Sequence, residues 1–133
     1  MRYSFTIPGK PFGKQSRAVS REGRSYVPEK TKNYMNEVKW LFRKGVKKHK
    51  LITTGVAITL TAYYKIPRVS KKLHEEMLLG EVRPIIKPDC DNISKVICDA
   101  LTDECWVDDN QVTDLIVRKW YSDDPRVDVE ITY

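Results

Sequence analysis

The chain has 133 residues, 41% of them apolar and 32% charged. That length suits one domain with a real core and excludes a large multi-domain enzyme, and the composition is not that of a disordered chain. The formal charge of +6 is unevenly spread: residues 1–50 carry 14 basic and 3 acidic side chains, whereas residues 89–133 carry 4 and 12.

A basic front half points to a polyanionic partner. An acidic rear half opposes that reading, because it repels a phosphate backbone. No apolar run approaches the roughly 20 residues that span a bilayer, and the first residues lack the apolar stretch of a secretory signal. A cytoplasmic protein with no membrane partner is therefore expected. Cys90, Cys98 and Cys105 form no C-x-x-C pair, and neither His49 nor His74 has zinc-ligand spacing to them. Reduced thiols are expected, not a zinc site or a disulfide framework.

In chain order, Tyr3, Phe5 and Ile7 alternate with polar residues, which predicts a strand ending at Pro8-Gly9. Residues 8–28 read as a long basic loop, with a possible short strand at Tyr26-Val27. Tyr34, Val38, Leu41 and Phe42 mark one face of a helix over residues 30–50, whose other faces are dense in lysine and arginine. Residues 55–66 alternate strictly, the mark of a strand with one buried face. Ser70 caps a short helix that stops at Gly80. Pro84 and Pro88 keep residues 82–88 extended. A helix follows over residues 89–101, with Ile93, Val96, Ile97, Ala100 and Leu101 as its buried stripe. Residues 111–121 and 126–133 read as a hairpin turned at Ser122–Pro125. The expected fold class is α+β, a small mixed β-sheet covered by helices, in one domain over residues 1–133. Trp40, Trp106 and Trp120 are all expected to pack in the interior.

The chemistry concentrates after residue 86. Lys87-Pro88-Asp89-Cys90-Asp91-Asn92 leads into the last helix, Lys95 and Asp99 follow on it, and Trp106-Val107-Asp108-Asp109-Asn110-Gln111 comes next. Asp91, Lys95 and Asp99 are spaced i, i+4, i+8, which stacks them along one line. Taken singly, each acid also reads as a helix cap, a turn residue or half of a surface ion pair. Together they place carboxylates on both sides of one helix. Gathered at one spot, such acids would raise each other's pKa unless a cation neutralised them. A hard divalent cation is the natural occupant, and magnesium commonly takes one or two carboxylates plus substrate phosphate. An EF-hand loop starting at Asp89 would need glycine and glutamate where Ser94 and Ala100 stand. No phosphate-binding G-x-x-x-x-G-K-[ST] loop exists.

The pattern K-P-D-x-D-N-x-x-K-x-x-x-D-A-L over Lys87–Leu101, then W-x-D-D-x-Q-V over Trp106–Val112, resembles the RusA-type Holliday junction resolvases, often encoded by phages and prophages. The N-terminal I-P-G-K-P, the basic loop and the closing strands agree more loosely. The resemblance implies a RusA-like fold and a homodimeric, metal-dependent endodeoxyribonuclease that makes paired nicks in four-way DNA junctions. Carried over by position, Asp89, Asp91 and Asp109 would be catalytic carboxylates and metal ligands, and Lys95 the functional lysine. Asp108, Asp99 and Asn92 would support them, with Mg2+ as cofactor and Mn2+ as a substitute. Lys10, Lys14, Arg17, Arg21, Arg24, Lys39, Arg43 and Lys47 are the expected DNA grip. Cys90 departs from an aliphatic position of the pattern, and the loop Thr102–Cys105 lacks a glycine and adds two acids. A non-catalytic binder of branched DNA and a less selective nuclease are the competing readings.

Overall fold

The computed structural model describes residues 1–133. Its elements are β1 (Arg2–Pro8), a two-strand ribbon of β2 (Ala18–Val19) and β3 (Ser25–Tyr26), α1 (Glu29–Gly45), β4 (Val56–Lys65), α2 (Lys71–Leu78), α3 (Cys90–Leu101), a single 3-10 turn (Asp109–Gln111), β5 (Val112–Ser122) and β6 (Arg126–Thr132). The four long strands form one mixed sheet in the order β1-β6-β4-β5. β6 is antiparallel to both β1 and β4, and β5 is parallel to β4. The architecture is α+β, as the patterning predicts. No helix is long and apolar enough to cross a membrane.

One face of the sheet is dry. Phe5 and Ile7, then Val56, Ile58, Leu60, Ala62 and Tyr64, then Val127, Val129 and Ile131 join Val38 and Phe42 of α1 and the stripe of α3 in one buried cluster. Burial of each large aliphatic side chain contributes about 1.5–3 kcal/mol, so the stripe Ile93, Val96, Ile97 and Leu101 fixes which way α3 is turned. Its opposite face, with Asp91, Lys95 and Asp99, is left in solvent.

Three expectations are corrected. β5 and β6 are not a hairpin: β4 lies between them, and just past its end the Ile66 N–H donates to the Ser122 carbonyl (3.2 Å). Local alternation and a turn reveal two strands, but the strand with the most completely apolar face takes the protected place between them. The basic loop is also more structured than it reads, because residues 18–26 fold into the β2–β3 ribbon. Finally, Trp106 is fully buried, but Trp40 is 57% exposed, with the Lys44 ammonium over its ring at 4.8 Å.

Candidate active site

The first acids stand where the extended segment turns into α3. Asp89 is the N-cap, and its Oδ1 accepts from the Asn92 N–H at 2.8 Å. Behind it the sheet holds the approach. The Lys87–Pro88 peptide is cis. The Tyr64 hydroxyl donates to the Pro88 carbonyl, and Lys119 Nζ donates to the Ile86 carbonyl at 2.6 Å. Arg83 Nε donates to the Lys119 carbonyl (2.7 Å) and its guanidinium lies 3.4 Å from the Trp120 ring centroid. Burial first, then the neighbouring Cys90 and Asp89, pushes the Tyr64 phenol upward, so it stays a protonated donor.

The loop after β1 crosses in front. Gly13 lies so close to α3 that an added Cβ would come within 2.7 Å of Pro88 Cβ, a contact only glycine allows. The Lys14 N–H donates to the Asn92 carbonyl at 3.0 Å. Phe12 stacks on Tyr34, and the buried Thr31 hydroxyl donates to Gln15 Oε1 at 3.1 Å. Loop and helix enclose a cleft of about 680 Å3, reached by Lys10, Lys14, Lys87, Asp89 and Asn92.

Along the helix the acids are already partnered. Asp91 Oδ2 meets Lys95 Nζ at 2.9 Å, and Asp99 Oδ2 meets Lys14 Nζ at 2.5 Å. The Asp91 hydrogen bond, ahead of Asp89 and Asp99, holds the Lys95 ammonium above its usual range. Burial, ahead of the charges of Asp99 and Asp109, raises the Cys98 thiol to about 11, which keeps it an inert thiol.

The second pair of acids lies on the 3-10 turn. Asp108 caps it, accepting from the Asn110 N–H at 2.9 Å. Gln111 pins it: Oε1 accepts from the N–H groups of Val107 and Asp108 (2.8 Å each), and Nε2 donates to the Ile52 and Thr54 carbonyls (2.9 Å each). The Asp108 and Asp109 carboxyls are close enough to influence each other's ionisation. With Asn110 as its first cause, Asp108 sits below the usual carboxylate range, and the Asp108 carboxylate holds Asp109 above it. Asp109 and Asp99 line a second cleft of about 420 Å3, together with Lys14, Lys39 and Glu104.

The expected acids and Lys95 therefore run from the start of α3, along its exposed face, to the 3-10 turn that follows it. Their oxygens suit a hard divalent cation, but no three Asp, Glu, His or Cys side chains are grouped as a ready metal nest. Of the acids expected to bind metal, Asp89 is held by the helix end and Asp91 by Lys95, while Asp109 stands beside the Asp108 carboxylate. Of the expected DNA grip, Lys10, Arg21, Arg24 and Lys47 are exposed, and Lys39 and Lys14 turn inward to the clefts. Arg43 is taken up by a two-pronged pair with Glu104. Tyr64, Lys119, Gly13 and Gln111 carry no charge signal of their own in the sequence, or none that points here. Only the Gln111 position in the motif hinted at a role.

The sequence matches the family model described as endodeoxyribonuclease RusA over residues 8–132. It is 35% identical over 132 residues to the uncharacterized protein YqaN of Bacillus subtilis (strain 168), covering 96% of this chain and 93% of that protein.

Proposed function

Given that this chain belongs to the RusA endodeoxyribonuclease family, we propose that it resolves four-way DNA junctions by paired phosphodiester hydrolysis. The observation that carries this reading is the line Asp89, Asp91, Lys95, Asp99 on the open face of α3, faced by a basic loop that is clamped to the same helix. An acidic row alone would repel DNA. An acidic row under a lysine- and arginine-bearing strap can admit a phosphate and act on it.

In the reaction, water oxygen bonds to phosphorus, the bond to the 3′ oxygen breaks, a proton leaves the water and one reaches the departing oxygen. Lys95 stands to offset charge on the phosphate or on that oxygen. Asp89, Asp91 and Asp109 are the residues that would hold Mg2+, or Mn2+ in its place. A bound divalent ion supplies an activated water and neutralises developing charge. A junction has approximate two-fold symmetry, so two matched nicks call for two sites, and a C2 homodimer supplies them.

The test is nicking of a synthetic four-way junction with and without magnesium, beside Asp91→Asn. Cleavage that requires the metal and falls by about 10²–10³-fold in the variant, with junction binding retained, is expected. A variant that nicks at the wild-type rate overturns the role of Asp91. Flap and linear duplex run in parallel separate junction resolution from a broader nuclease. The second reading is a non-catalytic binder of branched DNA, in which Asp89 and Asp108 serve as the caps they form here, and binding without any metal-dependent nicking is its signature.

A further inference from the structure

A third cavity, of about 280 Å3, opens between the basic loop and the first turns of α3. Lys14, Gln15, Ser16, Arg17, Asn92 and Lys95 line it, and none of them is apolar or acidic. We propose that this cavity is a phosphate pocket that seats one backbone phosphate of the bound DNA beside the carboxylates of α3. The inference rests on DNA as the ligand but not on cleavage.

The donors support it. Lys14 gives one of its three N–H bonds to Asp99, and Lys95 one to Asp91, so each ammonium keeps two. Arg17 commits Nε and Nη2 to the Ser25 hydroxyl and carbonyl (2.6 and 3.1 Å), which fixes the guanidinium and leaves Nη1 to give. Gln15 commits its acceptor oxygen to Thr31, so its remaining polar group is the donating amide nitrogen. The wall thus holds three cations and an amide donor, while the carboxylates paired with its lysines, Asp91 and Asp99, are not part of the lining. That is a set for a compact anion.

The walls are also held in place before any ligand arrives. The Lys14 N–H is bonded to the Asn92 carbonyl, and Gly13 lies against Pro88 and Asn92. Position completes the argument. Lys14 lines this cavity and both carboxylate clefts, so a phosphate seated here shares a wall with the cleft of Asp89 and with that of Asp99 and Asp109. A lysine read from the sequence as one of many backbone contacts becomes the hub of the site.

The experiment uses four-way junctions that each carry a single neutral methylphosphonate near the branch point. Binding is measured without divalent metal to wild type, Lys14→Gln, Lys14→Arg, Arg17→Gln and, outside the pocket, Arg24→Gln. In wild type, one position is expected to weaken binding about tenfold, the size of a charge-assisted contact. Lys14→Gln and Arg17→Gln bind the unmodified junction more weakly by a similar factor and lose sensitivity to that one position alone. Lys14→Arg and Arg24→Gln keep the sensitivity. A thermal melt of each variant separates this from misfolding. The proposal is overturned if Lys14→Gln stays as sensitive as wild type at every position, or if no position matters in wild type. It is overturned for DNA in favour of a free anion if inorganic phosphate, at matched ionic strength, displaces the junction from wild type only and no methylphosphonate has an effect. Failure of the nuclease reading shows separately, as absence of nicking with these binding results intact.

Discussion

The two ends of α3 carry acids that are positioned by opposite means. At the N-terminal end, support is spread over many groups: the Tyr64 hydroxyl, Lys119, Arg83 and the closely packed Gly13 all hold the segment that delivers Asp89. At the far end, one amide does most of the holding, because Gln111 alone makes four bonds around the turn that bears Asp108 and Asp109. In the first arrangement the loss of any one hydrogen bond should matter less, because the others remain. The second concentrates its rigidity in one residue, and a substitution there should fall hardest on the acids of the turn.

Two substitutions test that contrast. Gln111→Ala leaves two donors and two carbonyls unsatisfied, which should cost about 2 kcal/mol. It should also lower nicking by up to about 10²-fold, since a shift of about 1 Å at a site can do so. Thermal melts and single-turnover cleavage check both, and a variant with wild-type cleavage would show that the turn needs no pin. Tyr64→Phe removes one hydrogen bond out of several and should cost about 1 kcal/mol, with a smaller loss of nicking than Gln111→Ala. The reverse ranking would break the comparison.

The smallest effect belongs to Arg43, whose pair with Glu104 ties α1 to the loop after α3. The Arg43 hydrogen bond holds the Glu104 carboxyl below its usual range. A carboxylate lowered in the folded state stabilises fully above its unfolded pKa and loses that contribution as the pH falls through its folded value. Arg43→Gln should therefore melt slightly lower than wild type at neutral pH and converge with it in acid. A gap that persists unchanged to low pH would show that the pair acts by packing and not by charge.

Much of the fold was legible in the sequence because its signals are local. The alternation of residues 55–66, the Ser70 and Asp89 caps and the stripe of α3 each depend on neighbours a few residues apart. Strand partnership does not, so the closing strands were read as a hairpin although β4 separates them. The acids were legible as a motif, but their partners were not. Lys14 reaches Asp99 across 85 positions and Arg43 reaches Glu104 across 61. Those two contacts also change the meaning of the charge gradient. Three rear acids, Asp99, Glu104 and Glu130, pair with bases of the front half, so part of the apparent opposition is cancelled within the molecule. Five of the twelve rear acids, Asp89, Asp103, Asp108, Asp109 and Asp114, have no basic partner in an ion pair, and three of the five belong to the motif.

The place of β6 has a kinetic consequence. It sits between β1, from the other end of the sequence, and β4, so the sheet has no continuous middle until residues 126–132 are in register. Nearly all of its pairing is long-range, and such topologies fold slowly because loop closure precedes the contacts that reward it. Tyr64 and Lys119, which hold the Asp89 approach, hang from β4 and β5; β6 locks β4, and β5 pairs on β4 in turn. A chain lacking residues 126–132 would keep every acid of the motif and still lack the frame that aims them. Nuclease competence is in this sense a report of completed folding, arriving in one cooperative step with the sheet.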